Sequence, residues 1–450
     1  MTTTVAELRL AACDAASSQR LLAEIEDARQ QGLDVTIAAV TLDHAYASPE
    51  AITAVYVDLA ERGRSFLNAR ASILQRNPLW ALIHRTSERP RLSRTLAKLA
   101  FIRRSRRALK TQLDAERNRI LYTDIAATPW LGQCGRALAL LTIAAAHDLH
   151  CEAEGAPGPG QHAGMGGPLT GANLHAPFTA AGNMTGMSVA TLLSPSTPTS
   201  TPTTSNATVP RHLSDAQAFL DAPITEGFRH IVRYCSDSLG IRERKEAVND
   251  LITAHLRQRH HDGQGLDAMT MLSVGCGTAL PVLEAMRSLH KAYGQCPRLI
   301  LLDQDPVALK AAEELAARMG LEERIELQCH NLFTPRGKLL NLDHVLNGRT
   351  LDVVEDSGLR EYLPDSIYVD LTRASMRALK PGGLMVTSNM NANRPQKEFL
   401  CGLMGWPIPV LHRTIAQGVR LHERAGIDAQ RLRIQVLPSG VYTVFSTTAE

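Results

Sequence analysis

No hydrophobic run in this 450-residue chain is long enough to cross a bilayer. The longest, "ALALLTIAAA" (Ala137 to Ala146), reads as a buried helix. The opening "MTTTVAELRLAACDAASSQR" has acidic and polar residues where a secretory signal carries its apolar centre, so none is expected. The 8 cysteines form no CxxC pair and no cluster with histidine, which argues against zinc and against a disulfide framework. A reducing cytoplasm is the expected compartment. Lys and Arg number 48 against 45 Asp and Glu, a net +3, too small an excess to call for a polyanionic partner. No nucleic-acid motif and no interleaved aromatics accompany the basic residues, so neither nucleic acid nor membrane is an expected partner. What remains is a chain long enough for two or three domains with ordinary apolar content.

Three regions follow from composition. Residues 1–150 read as an all-α region. "VAELRLAACDAASSQRLLAEIEDARQQG" has helical spacing and ends at Gly32, and "SPEAITAVYVDLAERG" has Ser48 as N-cap, Pro49 in the first turn and Gly63 past the end. The basic stretch Arg85 to Arg119 is either a solvated helix face or a docking surface for an acidic partner. Residues 151–210 are rich in Gly and Pro and then in Ser, Thr and Pro, a composition that buries little and reads as a linker, of which part has the makings of a lid. From 211 to 450 order returns: two helices over "HLSDAQAFLDAPITEGFRHIVRYCSDSL" and "GIRERKEAVNDLITAHLRQRH", then alternating strands and amphipathic helices. That alternation indicates an α/β fold, a mostly parallel sheet covered on both faces. "RLRIQVLP", "SG" and "VYTVFSTT" close it as an antiparallel hairpin with a two-residue turn.

"MLSVGCGTAL" (Met271 to Leu280) places a strand, a glycine turn and a helix in succession. A dinucleotide fingerprint needs a third glycine, and here Gly275 and Gly277 are followed by Thr278, Ala279 and Leu280. A P-loop lysine is also missing. S-adenosylmethionine carries no phosphate, so two glycines suffice to let the backbone approach it. The next strand ends in "LLDQDP", where Asp303 can accept hydrogen bonds from both ribose hydroxyls and Asp305 opens the following helix as its N-cap.

"LSVGCGTA", "LLDQDPVALKAAEE", "LDVVEDSGLREYLPD" and "LKPGGLMVTSN", in that order, resemble the motifs of class I S-adenosylmethionine-dependent methyltransferases over roughly residues 225–450. The resemblance implies a Rossmann-like sheet of seven strands ending in the antiparallel hairpin. It implies that Gly275, Gly277 and Ala279 line the methionine part of S-adenosylmethionine, that Asp303 binds the ribose and that Asn331 contacts the adenine, with Cys276, Thr278, Gln304 and Leu332 as further cofactor-binding residues. Two departures stand out: Ser273 replaces the acidic residue that often begins the first motif, and Ala279 replaces the third glycine.

Methyl transfer needs an in-line nucleophile and little acid–base apparatus. Candidates for the reacting edge are Glu355, Asp356 and Tyr362. One of the two acids orients an amine or the cofactor's ammonium and acts as base, or else one faces solvent and the other caps the following turn; Tyr362 shapes the methyl pocket or packs in the core. Asn389, Asn391 and Asn393 recur at every second residue, and if extended they point to one side, with Arg394 next to them. Asn389, Asn393 and Arg394 are candidate substrate contacts, or else ordinary turn chemistry. The expected reaction is methyl transfer to a small-molecule or acyl acceptor. The alternatives are use of the aminocarboxypropyl group with release of methylthioadenosine, including cyclisation, and a non-catalytic cofactor-binding module.

Overall fold

A computed structural model describes residues 8–42, 48–76, 234–333, 342–397 and 410–450, with 111–113, 115 and 339 as short pieces between them. Most of the basic stretch, the apolar run at 137–146 and the whole 151–210 linker lie outside the described residues.

The elements are α1 (Ala15–Gln30), β1 (Asp34–Ile37), α2 (Pro49–Arg76), α3 (Ser236–His261), β2 (Thr270–Val274), α4 (Leu280–Tyr293), β3 (Arg298–Asp303), α5 (Pro306–Arg318), β4 (Ile325–Cys329), α6 (Asp343–Leu346), β5 (Leu351–Glu355), α7 (Asp365–Ala378), β6 (Leu379–Met390), α8 (Ile415–Arg424), β7 (Arg433–Val436) and β8 (Tyr442–Thr448). They form one sheet in the order β1-β7-β8-β6-β5-β2-β3-β4. Every pairing is parallel except those of β8 with β6 and β7. From β2 the chain runs outward through β3 and β4, then crosses back to β5 and β6. The carboxyl ends of β2 and β5 therefore flank the point where strand order reverses, where open α/β sheets bind ligands.

The central strands alternate between two cores. Met271, Leu299, Leu301 and Val353 pack with α3, α4 and α5 on one face. Leu272, Val274, Ile300, Leu302 and Val354 pack with α1, α7 and α8 on the other. Each such buried side chain stabilises the fold by about 1.5–3 kcal/mol. Burial on both faces is why these strands read as unbroken apolar runs.

The structure departs from the sequence expectations at four points. The seven expected strands are present, and β1 adds an eighth, so the N-terminal region is not all helix: Asp34–Ile37 pairs in parallel with β7. Helix α2 passes through Gly63 and continues to Arg76, because Phe66 beyond the glycine is buried and rewards the extra turns; Ser48 does cap its start, accepting the Ala51 N–H at 3.3 Å. A single helix, α3, crosses Gly240, where a helix break was expected. A methyl there would come within 2.6 Å of Val441, so this glycine permits a close helix–strand approach. The hairpin connection is longer than two residues: Leu437 donates to the Tyr442 carbonyl at 3.0 Å, and Gly440, at φ +73°, turns the chain within that span.

The N-terminal segment is fastened to the rest by polar bonds. Arg9 donates to Glu243 at 2.9 Å, and the other Glu243 oxygen accepts Ser439 N–H at 2.7 Å. Glu24 accepts from Asn393 at 2.9 Å and from the Ile415 N–H at the start of α8. Tyr56 donates its hydroxyl to Asp14 at 2.7 Å, and its carbonyl accepts from Gln396 at 2.9 Å.

Candidate active site

The loop after β2 is built around Asp303 at the end of β3. Gly275 N–H returns to the Leu302 carbonyl at 2.8 Å. Asp303 Oδ2 accepts Gly277 N–H at 3.0 Å, and Oδ1 accepts Asp305 N–H at 2.9 Å. Each oxygen keeps a second lone pair for a ligand hydroxyl. Gly275, Gly277 and Ala279 all have left-handed φ, +62°, +54° and +56°. A methyl on Gly277 would meet nothing within 4 Å, so the backbone there borders open space. Asp305, the residue before α5, accepts Leu309 N–H through its carbonyl at 3.2 Å.

Asp303 is joined by the start of the loop after β4. His330 N–H donates to the Asp303 carbonyl at 3.0 Å, and Asn331 Oδ1 accepts Phe333 N–H at 2.9 Å to hold the turn. Gln304 is exposed, and Leu332 is buried in the second core.

Glu355 is buried and in register with Ser273 on the neighbouring strand. It accepts the Ser273 hydroxyl at 2.5 Å, the Ser357 N–H at 2.7 Å and the Ser357 hydroxyl. Burial pushes its pKa up, and these donors hold it back in part. Ser273 thus stands where an acid was expected, and the acid comes from β5 instead. The Cys276 thiol is pushed well above its ordinary range, first by burial and then by the charges of Asp303 and Glu355. Within the glycine loop, Cys276 therefore feels the charges of both carboxylates.

Asp356 is engaged differently. Arg360 grips it through Nε at 2.7 Å and Nη2 at 2.5 Å, both side chains fully buried, while Arg360 Nη1 donates to the Tyr368 carbonyl at 2.8 Å. Tyr362, partly buried, packs against the first core.

The asparagine series does not converge on one side, because the chain turns after Asn391. Asn389 accepts from Arg413 at 2.7 Å and donates to the Met390 carbonyl at 2.7 Å. Asn391 donates to the Gly440 carbonyl at 2.9 Å, and Asn393 donates to Glu24. Arg394 is buried, and its two parallel bonds go to Asp237, at 2.6 and 2.7 Å. The structure thus brings Gly275–Ala279, Asp303, Gln304, Asn331 and Glu355 together at one edge, and it ties Asn389, Asn393 and Arg394 into separate networks.

Two further residues belong near this edge. Glu361, buried, sits after β5 with Arg244 of α3 donating to it at 3.3 Å. Glu361 lies in a quoted motif, but nothing in the local pattern sets it above its neighbours, and Arg244 is one basic residue in the run "RERKE".

Among the described residues no group of three or more His, Cys, Asp or Glu is placed to hold a metal ion, and no helix is long and apolar enough to cross a membrane.

The strand order, the closing antiparallel strand and the glycine loop at the switch point define a class I methyltransferase fold. Residues 232–448 match the model of a family described as "Putative methyltransferase". No curated protein matches the chain. Solved structures similar to it include a possible exported protein of Bordetella parapertussis, at 22% identity over 53% of this chain and 85% of that one, TM-score 0.37. An O-methyltransferase family protein of Burkholderia thailandensis is 17% identical over 50% of this chain and 62% of that one, TM-score 0.34. The S-adenosylmethionine-dependent methyltransferase SibL is 22% identical over 40% and 50%, TM-score 0.31. The chain spans less than two thirds of the last two.

Proposed function

We propose that the protein transfers the methyl group of S-adenosylmethionine to a small-molecule or acyl acceptor. The observation that carries this reading is the Asp303 carboxylate, bonded to Gly277 N–H and facing a loop whose second glycine borders open space. A pyrophosphate would meet the charges of Asp303 and Glu355; a sulfonium with an ammonium is attracted by them. In this reading Gly275, Gly277 and Ala279 line the methionine part, Asp303 holds the ribose and Asn331 contacts the base, with Cys276, Thr278, Gln304 and Leu332 as further cofactor-binding residues. The start of α4 favours the ligand's carboxylate. Bound there, the cofactor supplies a methyl group on a positively charged sulfur.

Glu355, in register with Ser273 at the end of β5, is suited to orient the ligand's ammonium. Asp356, locked to Arg360, positions the turn that carries Tyr362 to the methyl pocket. The paired states of Asn389, Asn393 and Arg394 support a role in shaping the edge of the acceptor site rather than in gripping the acceptor. The free thiols of Cys276 and Cys296, among the described residues, support the cytoplasm as the place of action.

Calorimetry with S-adenosylmethionine and with NAD tests the cofactor: saturable binding of the first and none of the second is expected, and the reverse would end this reading. The by-product then decides the chemistry. S-adenosylhomocysteine is expected; methylthioadenosine would instead establish aminocarboxypropyl transfer.

A further inference from the structure

After β5 the chain passes beside the glycine loop. A methyl on Gly275 would lie 3.3 Å from Leu359, and one on Gly358 would lie 3.6 Å from the Arg244 guanidinium. The next turn carries Glu361, 2% exposed. Its Oε1 accepts from Arg244 at 3.3 Å, but its Oε2 is buried with no hydrogen-bond partner among the described residues. Arg244 stacks over the Tyr442 ring at 4.4 Å and lies within electrostatic reach of Glu355 and Tyr362 as well. A buried carboxylate oxygen without a donor is costly, and such atoms are rare unless a ligand completes them. This one sits two residues beyond the side chain that covers the glycine loop.

We propose that Glu361 Oε2 receives the proton of a neutral hydroxyl acceptor as that oxygen is methylated. The inference rests on the methyl-transfer reading above. The acceptor oxygen forms its bond to the methyl carbon, the carbon–sulfur bond breaks with its electron pair left on sulfur, and the hydroxyl proton passes to Glu361. The surroundings select the acceptor class. A carboxylate acceptor would add a third negative charge beside Glu355 and Glu361. An ammonium would add a second positive charge beside Arg244. A neutral hydroxyl needs only the acceptor lone pair that Oε2 offers.

The full chain is incubated with methyl-labelled S-adenosylmethionine and, separately, phenol, benzyl alcohol, benzylamine and benzoate. Methyl ethers from the hydroxyl compounds alone are expected. Methylated amine, methyl benzoate, or no labelled product from a protein that binds S-adenosylhomocysteine would overturn the inference. A protein that binds no S-adenosylhomocysteine would fail the methyl-transfer reading itself. The variant Glu361→Gln is expected to lower turnover by about 100-fold or more, the usual contribution of a general base. It is also expected to weaken binding of the labelled hydroxyl compound to the S-adenosylhomocysteine complex by about tenfold, with unchanged S-adenosylhomocysteine affinity. Wild-type turnover and probe affinity in a folded variant would overturn the assignment, and the selectivity of the wild-type protein tests it even if the variant does not fold.

Discussion

Two loops leave the same edge of the sheet, one after β2 that wraps the Asp303 carboxylate at the end of β3, and one after β6 that carries asparagines and an arginine. In the first, Asp303 spends one lone pair of each oxygen on backbone N–H groups and keeps the other, and Gly277 borders open space. In the second, Asn389, Asn391, Asn393 and Arg394 are each tied to a partner of the protein itself, in one case a fully buried ion pair. In the proposed reading, the difference separates a loop that receives a ligand from one that holds the fold. Polar residue types alone do not make that distinction; the number of unspent donors and acceptors does.

The largest effect should come from breaking the second loop. Arg394→Ala leaves Asp237 buried without its cation, and loss of one partner of a buried pair costs about 3–5 kcal/mol. Urea unfolding should show that loss. If instead the variant unfolds like the wild type and only turnover falls, Arg394 contacts the acceptor and the contrast between the loops collapses.

The complementary change, Asp303→Ala, should act mainly on the ligand. Removing a charged acceptor should weaken S-adenosylmethionine binding by about 1.5–3 kcal/mol in calorimetry. The unfolding midpoint should fall by less than in Arg394→Ala, because the Gly277 and Asp305 N–H groups that lose their acceptor lie in a half-buried loop. Binding unchanged in a folded Asp303→Ala would remove the first loop from the cofactor site.

The same contrast explains what was legible from residues alone. The central strands were readable because both faces are buried, which leaves runs such as "LILL" with no polar interruption. The glycine loop and Asp303 were readable because their relation is local: a strand end, a turn and the next strand end. Strand β1 was not, since "DVTI" is short and half polar, and its partner β7 lies at the far end of the chain. The pairing of Arg394 with Asp237 spans 157 residues, and no spacing rule reaches so far. Ser273 looked like a loss of the usual acid until the register placed Glu355 beside it. Glu361 differs from other acids only by an oxygen left without a donor, which is a property of the packed structure.

The smallest effect should come from inside the first loop, at the position where a third glycine was missing. Ala279 is left-handed at φ +56°, a conformation that costs a residue with a side chain roughly 1–2 kcal/mol. Its methyl is also buried in the first core, where a methyl group is worth about 0.8 kcal/mol. Glycine would in addition raise the entropy of the unfolded chain, at a cost of about 0.4–1 kcal/mol. These terms nearly cancel, so Ala279→Gly should change stability by less than about 1 kcal/mol in either direction, and S-adenosylmethionine affinity should stay the same. Gly277→Ala makes the useful contrast. Its φ is +54°, but a methyl there finds nothing to pack against and projects into the open space beside the loop. The strain is then offset only by the unfolded-state term, and stability should fall by about 0.5–1 kcal/mol. Affinity should fall as well, because the added methyl occupies space the ligand needs. Unfolding and calorimetry on the two variants together provide the check: if Gly277→Ala binds S-adenosylmethionine as the wild type does, the open space at Gly277 is not where the cofactor lies.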